Sequence, residues 1–258
     1  METYFTIVSF IMGIIFGSFY NVCIYRIPVK KSVVNPPSAC GNCNTRLKPI
    51  DLVPILSWSL LRGRCRYCGQ KVSSRYALVE LLTGILFVLV YKNFGYSALT
   101  IYFLILTSLL IIITFIDIDH YIIPNGLIII GSIVAIVFNI FGIGVGIKEA
   151  ILGAIICGCG TLVVIYIIEF ILKKEVMGGG DIKLFGMMGL FLGVQQGLMT
   201  ILFSIYVGAF YGVYTIIHSK LKNKEYNSMI PYGPFIAIGG FIAFIYGNDI
   251  LNWYMGLF

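Results

Sequence analysis

Charged residues are scarce in this sequence, and their scarcity decides the class of protein. Only 11% of the 258 residues are charged, whereas 59% are hydrophobic. A soluble globular domain carries about a quarter charged residues. A bilayer-spanning helix, by contrast, needs about twenty consecutive apolar residues, and this sequence has several such runs. The composition excludes an ordinary soluble domain and predicts an all-α polytopic membrane protein.

Several further absences narrow the function. The chain has two histidines, His120 and His218, so a histidine-rich metal site has little support. It has no internal repeat, no low-complexity segment and no soluble βαβ unit with a Gly-rich nucleotide-binding turn. No basic n-region precedes the first apolar run, so we interpret that run as a retained span. The net charge of +7 is better explained by membrane topology than by nucleic acid, which we do not expect as a partner.

The apolar runs predict about eight transmembrane helices. The sixth run is short and interrupted by glycines, which makes its boundaries the hardest to place. The predicted spans cover residues 4–25, 76–92, 97–116, 125–143, 149–172, 183–194, 197–217 and 232–247.

The distribution of basic residues predicts the orientation of these spans. Most lie in the loop of residues 26–75, while Lys92 and Lys148 alone fall on the opposite face. Because basic loops stay in the cytoplasm, the N-terminus is expected outside. We expect three parts: a first span at 1–25, a cytoplasmic loop domain at 26–75 and a membrane core at 76–258. Further basic residues on the cytoplasmic side are Lys173, Lys174, Lys220, Lys222 and Lys224.

Four of the seven cysteines form two C-x2-C pairs within this loop. The pairs are Cys40 with Cys43 and Cys65 with Cys68, and each is followed directly by Asn or Gly. Thiolates at this spacing can surround a tetrahedral Zn²⁺. A four-Cys site leaves no open position, so the metal is predicted to be structural. The alternatives are two disulfides, which the reducing cytoplasm disfavours, or four unrelated thiols.

Two aspartates stand where apolar runs begin or end. Asp117 closes the third run and Asp181 opens the sixth, so a helix bundle could bring both to one membrane face. An Asp within a membrane helix costs about 2.5–3.5 kcal/mol at the helix centre, and such residues are usually functional. Two carboxyl groups in one site can share a proton and so supply an acid and a base. We therefore predict an intramembrane aspartic protease, with Asp119 and His120 as interfacial polar or capping residues.

Two further features remain open between a structural and a functional interpretation. Gly178, Gly179 and Gly180 precede Asp181; they form either a linker to an ordinary helix cap or a surface that a substrate backbone approaches closely. Glu80 lies in the second apolar run. It either contacts a cationic substrate group or pairs with a Lys or Arg of the protein.

The order of the motifs resembles that of the type IV prepilin peptidases along nearly the whole chain. The matching elements are G-S-F-Y-N-V-C-I-Y-R-I-P at 17–28, the two cysteine pairs flanking S-W-S-L-L-R-G-R at 57–64, R-Y-A-L-V-E-L-L-T-G at 75–84, I-D-I-D-H-Y-I-I-P-N at 116–125, G-G-G-D-I-K-L at 178–184 and P-Y-G-P-F-I-A-I-G-G at 231–240. One departure is Gly179, the variable residue of the family's G-x-G-D element.

The resemblance implies an aspartic endopeptidase of the bacterial inner membrane, with Asp117 and Asp181 as its dyad at the cytoplasmic face. Its substrates would be type IV prepilins and pilin-like proteins, cut after a Gly that ends a short basic leader. Family members with the cysteine-bearing loop commonly also methylate the new N-terminal residue with S-adenosylmethionine. The alternatives are a peptidase without methylation, a proton- or cation-coupled transporter that uses both aspartates as a relay, and a scaffold that displays a zinc module.

Overall fold

The computed structural model describes residues 2–174, 176–222 and 230–256. These residues form helices and loops without a β-strand; two isolated bridges, Ala39 with Arg46 and Arg64 with Lys71, are the only extended pairings among them. A 3₁₀ turn covers Pro49–Leu52, and a π-helical stretch, Ile155–Gly160, joins α6 to α7. The helices are α1 Glu2–Arg26, α2 Leu56–Leu60, α3 Arg75–Phe94, α4 Ala98–His120, α5 Asn125–Ile140, α6 Ile147–Ala154, α7 Thr161–Leu172, α8 Gly179–Leu221 and α9 Gly233–Met255.

Helix α8 is too long to be a single membrane crossing. Its 43 residues would extend about 65 Å as a straight helix, about twice the roughly 30 Å of a hydrocarbon core. Gly193 interrupts it with φ 74° and ψ −171°. A Cβ at Gly197 would lie 3.5 Å from the Cα of Gly189, although eight residues of straight helix span about 12 Å. The chain therefore folds back at Gly193 and divides α8 into two arms, residues 179–192 and 194–221.

This division accounts for the predicted number of spans. Within residues 2–174, 176–222 and 230–256, six helical stretches are long and apolar enough to cross a membrane, and α5 is a shorter apolar helix of 16 residues. With α8 counted as two arms, the described chain has eight apolar helical segments. The all-α, multi-pass membrane architecture predicted from the sequence is confirmed. Lys224, one of the residues used to predict orientation, lies outside the described residues.

Two buried polar side chains stabilise the break in α8. Carbonyl groups just before Gly193 lose the amide partners that a continuous helix would give them. Asn139 Nδ2 donates to the Leu190 carbonyl at 3.1 Å, and the Tyr102 hydroxyl donates to the Phe191 carbonyl at 3.0 Å. A buried polar group without a partner costs about 1–3 kcal/mol. The pair from α4 and α5 thus compensates for the reversal of the chain.

The chain forms two compact units, Met1–Thr100 and Ile101–Phe258. In the first, α1 packs closely on α3 through glycines: a Cβ at Gly13 would lie 2.7 Å from the Cα of Gly84. Small residues at such positions let membrane helices approach at backbone distance. In the second unit, α8 packs against α5, α6 and α9. Gly153 of α6 and Gly189 of α8 meet there by direct backbone contact. The predicted division at residues 25 and 75 remains a prediction.

Candidate active site and metal centre

Asp117 lies in the last turn of α4 and is buried, with 4% of its surface exposed. Asp119 and His120, in the same turn, are exposed. Residues two apart on a helix do not face the same side. The structure therefore places Asp117 in the interior of the second unit, as its position directly after an apolar run predicts.

Asp181 is the third residue of α8, and Gly178 is the N-cap of that helix. Its half-buried carboxylate accepts the backbone N–H of Gly178 and lies within electrostatic range of Asp117. One interpretation of the Gly-Gly-Gly-Asp sequence made Asp181 the N-cap, whereas the structure places the N-cap at Gly178, three residues earlier. The other interpretation, a glycine surface that a substrate backbone approaches closely, remains a prediction.

Two contacts hold the start of α8 beside the segment that follows α4. A Cβ at Gly180 would lie 3.1 Å from Ile123 Cβ, so only glycine allows this approach without a shift of the neighbour. One turn later, Lys183 Nζ donates to Asn125 Oδ1 at 3.0 Å. Because Ile123 and Asn125 follow Asp117 closely in sequence, these contacts bring Asp181 toward it. Gly179, between Gly178 and Gly180, has open space around it.

The N-terminus of α9 supplies a third component, which the sequence analysis did not assign to the site. The backbone N–H of Gly233 donates to Asp117 Oδ2 at 2.8 Å. A Cβ at Gly233 would lie 2.8 Å from the same oxygen, which leaves no room for a larger residue. The available signal was a Gly between Tyr232 and Pro234 at the start of an apolar run. A buried carboxylate needs hydrogen-bond donors, and a helix N-terminus provides them.

Together these elements form a two-carboxyl site in which each carboxylate accepts a backbone N–H from a helix N-terminus. Gly178 donates to Asp181, and Gly233 donates to Asp117. The backbone amides stabilise negative charge on the pair without a cationic side chain. Such a pair can hold one proton and position a water molecule for attack on a carbonyl.

The four predicted metal ligands converge within the first unit. The Sγ atoms of Cys40, Cys43, Cys65 and Cys68 all lie within 4.8 Å of one another, and those of Cys40 and Cys68 are 3.9 Å apart. Tetrahedral thiolates around Zn²⁺ at 2.3 Å are separated by about 3.8 Å. All four thiols are free of disulfides. The cluster has the geometry of a four-thiolate metal site.

Each cysteine pair is a turn closed in the same way. Cys40 N–H donates to the Thr45 carbonyl at 3.0 Å, and Cys65 N–H donates to the Gln70 carbonyl at 2.8 Å. The residue after each second cysteine has positive φ: Asn44 at 53° and Gly69 at 70°. Asn and Gly tolerate this left-handed conformation best. Their presence after both C-x2-C pairs is therefore explained.

Backbone amides favour thiolate at the cluster. The N–H groups of Cys43 and Cys68 lower the pKa values of the Cys40 and Cys65 thiols, respectively. A hydrogen bond with the Thr45 hydroxyl lowers the pKa of Cys43. Because a metal binds thiolate and competes with protons, the lowered pKa values of these three cysteines favour metal binding. The pKa of Cys68 is instead raised by desolvation and by hydrogen bonds with Cys65 and Cys43.

We call the turns at Cys40–Thr45 and Cys65–Gln70 the first and second knuckle, and the chain between them the linker. An ion pair connects the linker to the second knuckle. Asp51 accepts hydrogen bonds from Arg66 Nε at 2.6 Å and from the Tyr67 hydroxyl at 2.8 Å. The neighbouring Arg66 guanidinium holds the pKa of Asp51 below its usual range. These two donors are the residues between Cys65 and Cys68, so Asp51 fixes the orientation of that turn.

Glu80 lies in α3 and is buried, with 7% of its surface exposed. Its Oε2 accepts the backbone N–H of Ile55 at 2.7 Å. It thus contacts the linker between the two cysteine pairs. Glu80 belongs to the first unit, whereas Asp117 and Asp181 belong to the second. Its assignment to substrate binding remains a prediction.

Comparison with known proteins identifies the family. Residues 11–94 match the model of the bacterial peptidase A24 N-terminal domain, and residues 104–213 match the type IV leader peptidase family. The chain belongs to the type IV leader peptidase family. The matches to the family models include all four cysteines and both aspartates, and Gly233 lies beyond them.

Three relatives that align with this chain over nearly their whole length have the same name. The prepilin leader peptidase/N-methyltransferase of Aeromonas hydrophila is 36% identical, over 98% of this chain and 94% of the relative. That of Bacillus subtilis is 34% identical, over 96% of this chain and 97% of the relative. That of Pseudomonas putida is 31% identical, over 96% of this chain and 92% of the relative. No solved structure matches the chain.

The metal centre is tested by removing one ligand. Cys65→Ser should abolish metal binding and make the loop between α1 and α3 sensitive to protease, because metal binding supplies folding free energy. The measurements are elemental analysis and limited proteolysis of the purified protein. Cys159→Ser, at an exposed cysteine outside the cluster, should change neither. Protease resistance in a wild-type protein without metal would contradict the assignment.

The contribution of α9 is tested by Gly233→Ala. The added methyl group must displace the Asp117 carboxylate, and a misplacement of about 1 Å can cost roughly 10²-fold in rate. We expect a loss of that order in kcat/KM for leader cleavage, with unchanged helix content. Gly126→Ala, in the first turn of α5 with open space around it, is the control. Equal activity of both variants would show that the Gly233 contact does not position Asp117.

Proposed function

We propose that this protein is an aspartic endopeptidase that removes the leader peptides of type IV prepilins and pilin-like proteins, with Asp117 and Asp181 as its dyad. The observation that carries the proposal is that a buried Asp117 and a half-buried Asp181 lie within electrostatic range of each other in one unit. Membership in the leader peptidase family supports the reaction. It also leaves the transporter alternative without support.

The proposed reaction follows from a single shared proton. The ionised aspartate takes a proton from a water molecule held between the carboxyl groups, and this water attacks the scissile carbonyl. The protonated aspartate polarises the carbonyl oxygen and then helps to deliver a proton to the leaving amine. The amides of Gly178 and Gly233 hold the two carboxylates in place during these transfers. The protons belong to the pair rather than to either residue.

Of the three predicted substrate-binding glycines, Gly178, Gly179 and Gly180, the middle one is proposed to receive the extended leader backbone. The space around Gly179 supports this role, because a Cβ there would meet no protein atom within 4 Å. Gly180, which packs on Ile123, instead supports the fold of the site. A strand-like substrate could therefore pass beside Gly179 without displacing the chain.

The four cysteines are proposed to hold a structural Zn²⁺. When bound, the ion would crosslink the two knuckles and stabilise the loop, and its closed coordination leaves no position for substrate. We also propose that the protein is a multi-pass protein of the bacterial inner membrane. Its N-terminus would lie outside, and the loop and the dyad at the cytoplasmic face, as the distribution of basic residues favours.

Methylation of the new N-terminal residue is proposed from the relatives, whose names include N-methyltransferase activity. The methyl donor would be S-adenosylmethionine. The zinc loop and the neighbouring Glu80 are the proposed region for this second activity. Glu80 contributes to it by holding the linker at Ile55.

The dyad is tested by isosteric substitution. Asp117→Asn and Asp181→Asn should each lower cleavage of a prepilin peptide by at least about 10²–10⁴-fold, because neither variant can exchange the shared proton. Cleavage is measured with purified protein in lipid, beside helix content and metal content. Asp119→Asn, two residues from Asp117 and exposed, should retain activity. Full cleavage by either dyad variant would remove that residue from the proposed mechanism.

The second activity is tested with a peptide that corresponds to the cleaved product. Transfer of a labelled methyl group from S-adenosylmethionine to its free N-terminal amine is the expected result. The same peptide with an acetylated N-terminus should remain unlabelled, since it offers no nucleophilic amine. Absence of labelling with both peptides would leave a peptidase without methylation.

A further inference from the structure

The linker between the two cysteine knuckles exposes a strip of large apolar side chains. Five of them lie within residues 50–60, and their exposed fractions range from 40% to 82%. Leu56 and Leu60 are four residues apart in α2 and therefore lie on the same face of that helix. Large apolar side chains exposed this close together in the chain are typical of an interaction site. The five residues are Ile50, Leu52, Val53, Leu56 and Leu60; we call them the linker strip.

A hydrogen bond places the linker strip at the level of a membrane helix. Ile55, which lies between Val53 and Leu56 of the strip, donates its N–H to Glu80 at 2.7 Å. Glu80 is five residues beyond Arg75, the first residue of α3, or about 7.5 Å along the helix axis. Helix α3 is long and apolar enough to span a membrane. The linker is therefore held beside the first turns of a spanning helix rather than away from it.

The backbone at this contact has an unusual conformation. Ile55 has φ 61° and ψ −50°, a region that β-branched residues rarely adopt. Such a conformation persists where the surroundings enforce it. The hydrogen bond to Glu80 enforces it here, and it fixes the direction in which α2 leaves the linker.

The charge of the surrounding loop complements an anionic surface. Residues 26–75 contain ten Lys or Arg residues and one acidic residue, Asp51, which is already paired with Arg66. The loop therefore carries a net charge of +9. Basic segments next to membrane spans are attracted to anionic lipid head groups.

We propose that the linker strip is seated in the bilayer interface, with its apolar side chains at the boundary between head groups and acyl chains. An apolar face joined to basic residues is the pattern of segments that lie in this boundary. The bilayer is the occupant that fits both the depth set by Glu80 and the charge of the loop. Through the Asp51–Arg66 contact, the seated linker also holds the second knuckle at the membrane surface. The inference does not depend on the proposed proteolytic activity.

The native Trp58 in α2 provides a direct reporter. Its Nε1 donates to the Val72 carbonyl at 3.1 Å, so the indole is fixed within the loop. The chain has two tryptophans, and Trp253→Phe leaves Trp58 as the sole one. The full-length, metal-loaded protein is placed in lipid nanodiscs that contain lipids brominated at shallow or deep acyl positions. Seating about 5–10 Å into the boundary predicts strong quenching of Trp58 by shallow bromines and weak quenching by deep ones.

Matched variants separate the linker strip from the rest of the loop. Leu56→Ser combined with Leu60→Ser should reduce quenching by the shallow bromines and increase quenching by aqueous acrylamide. Val34→Ser removes an equally apolar side chain that is 76% exposed elsewhere in the loop, and it should change neither signal. Metal content and helix content confirm that each variant is folded.

The lipid composition tests the electrostatic part of the inference. Quenching should be stronger in phosphatidylglycerol than in phosphatidylcholine, and high salt should reduce the difference. Equal quenching in both lipids would overturn the electrostatic contribution. Trp58 that is quenched by acrylamide but by no brominated lipid would overturn the seating itself. An unchanged quenching pattern in the Leu56→Ser/Leu60→Ser variant would also overturn it, since the linker strip would then not determine the depth of Trp58.

Discussion

The hydrogen bond from Gly233 to the buried Asp117 is the interaction on which the candidate active site depends. A carboxylate inside a membrane helix is unfavourable unless polar partners surround it. Helix α9 meets this requirement with a backbone amide, which needs no polar side chain and adds no charge. The requirement also explains why the residue at this point lacks a Cβ: α9 must begin in direct contact with the carboxylate.

The break in α8 shows the same requirement, that polar groups in apolar surroundings need hydrogen-bond partners. Where α8 reverses at Gly193, its released carbonyls are not left in apolar surroundings but are bonded by Asn139 and Tyr102. Gly153 and Gly189 then allow α6 to approach α8 at backbone distance. Polar residues in apolar runs thus have two different uses here. Some form the site, and others maintain the irregular backbone that carries it.

The four-cysteine cluster depends much less on contacts between distant segments, because its geometry is set almost entirely by residues near one another in sequence. Each knuckle closes within six residues and needs only a left-handed residue after the second cysteine. Two longer contacts then give the module a defined place: Asp51 holds the second knuckle, and Glu80 holds the linker. These contacts connect the metal site to α3, and they give the exposed linker strip its position.

The sequence by itself determined the all-α membrane class, the eight apolar segments, the four cysteines that cluster and the prediction that Asp117 is buried while Asp119 is exposed. These follow from composition, run length and short spacings, which act over a few residues. Only the tertiary structure decided that α9 donates to Asp117, that Glu80 holds Ile55 and that Asn139 bonds the broken α8. Each of these contacts uses a backbone group as donor or acceptor, and every residue has such groups. The residue types therefore did not identify the partner of each group, and only the packing of distant segments selected the partners.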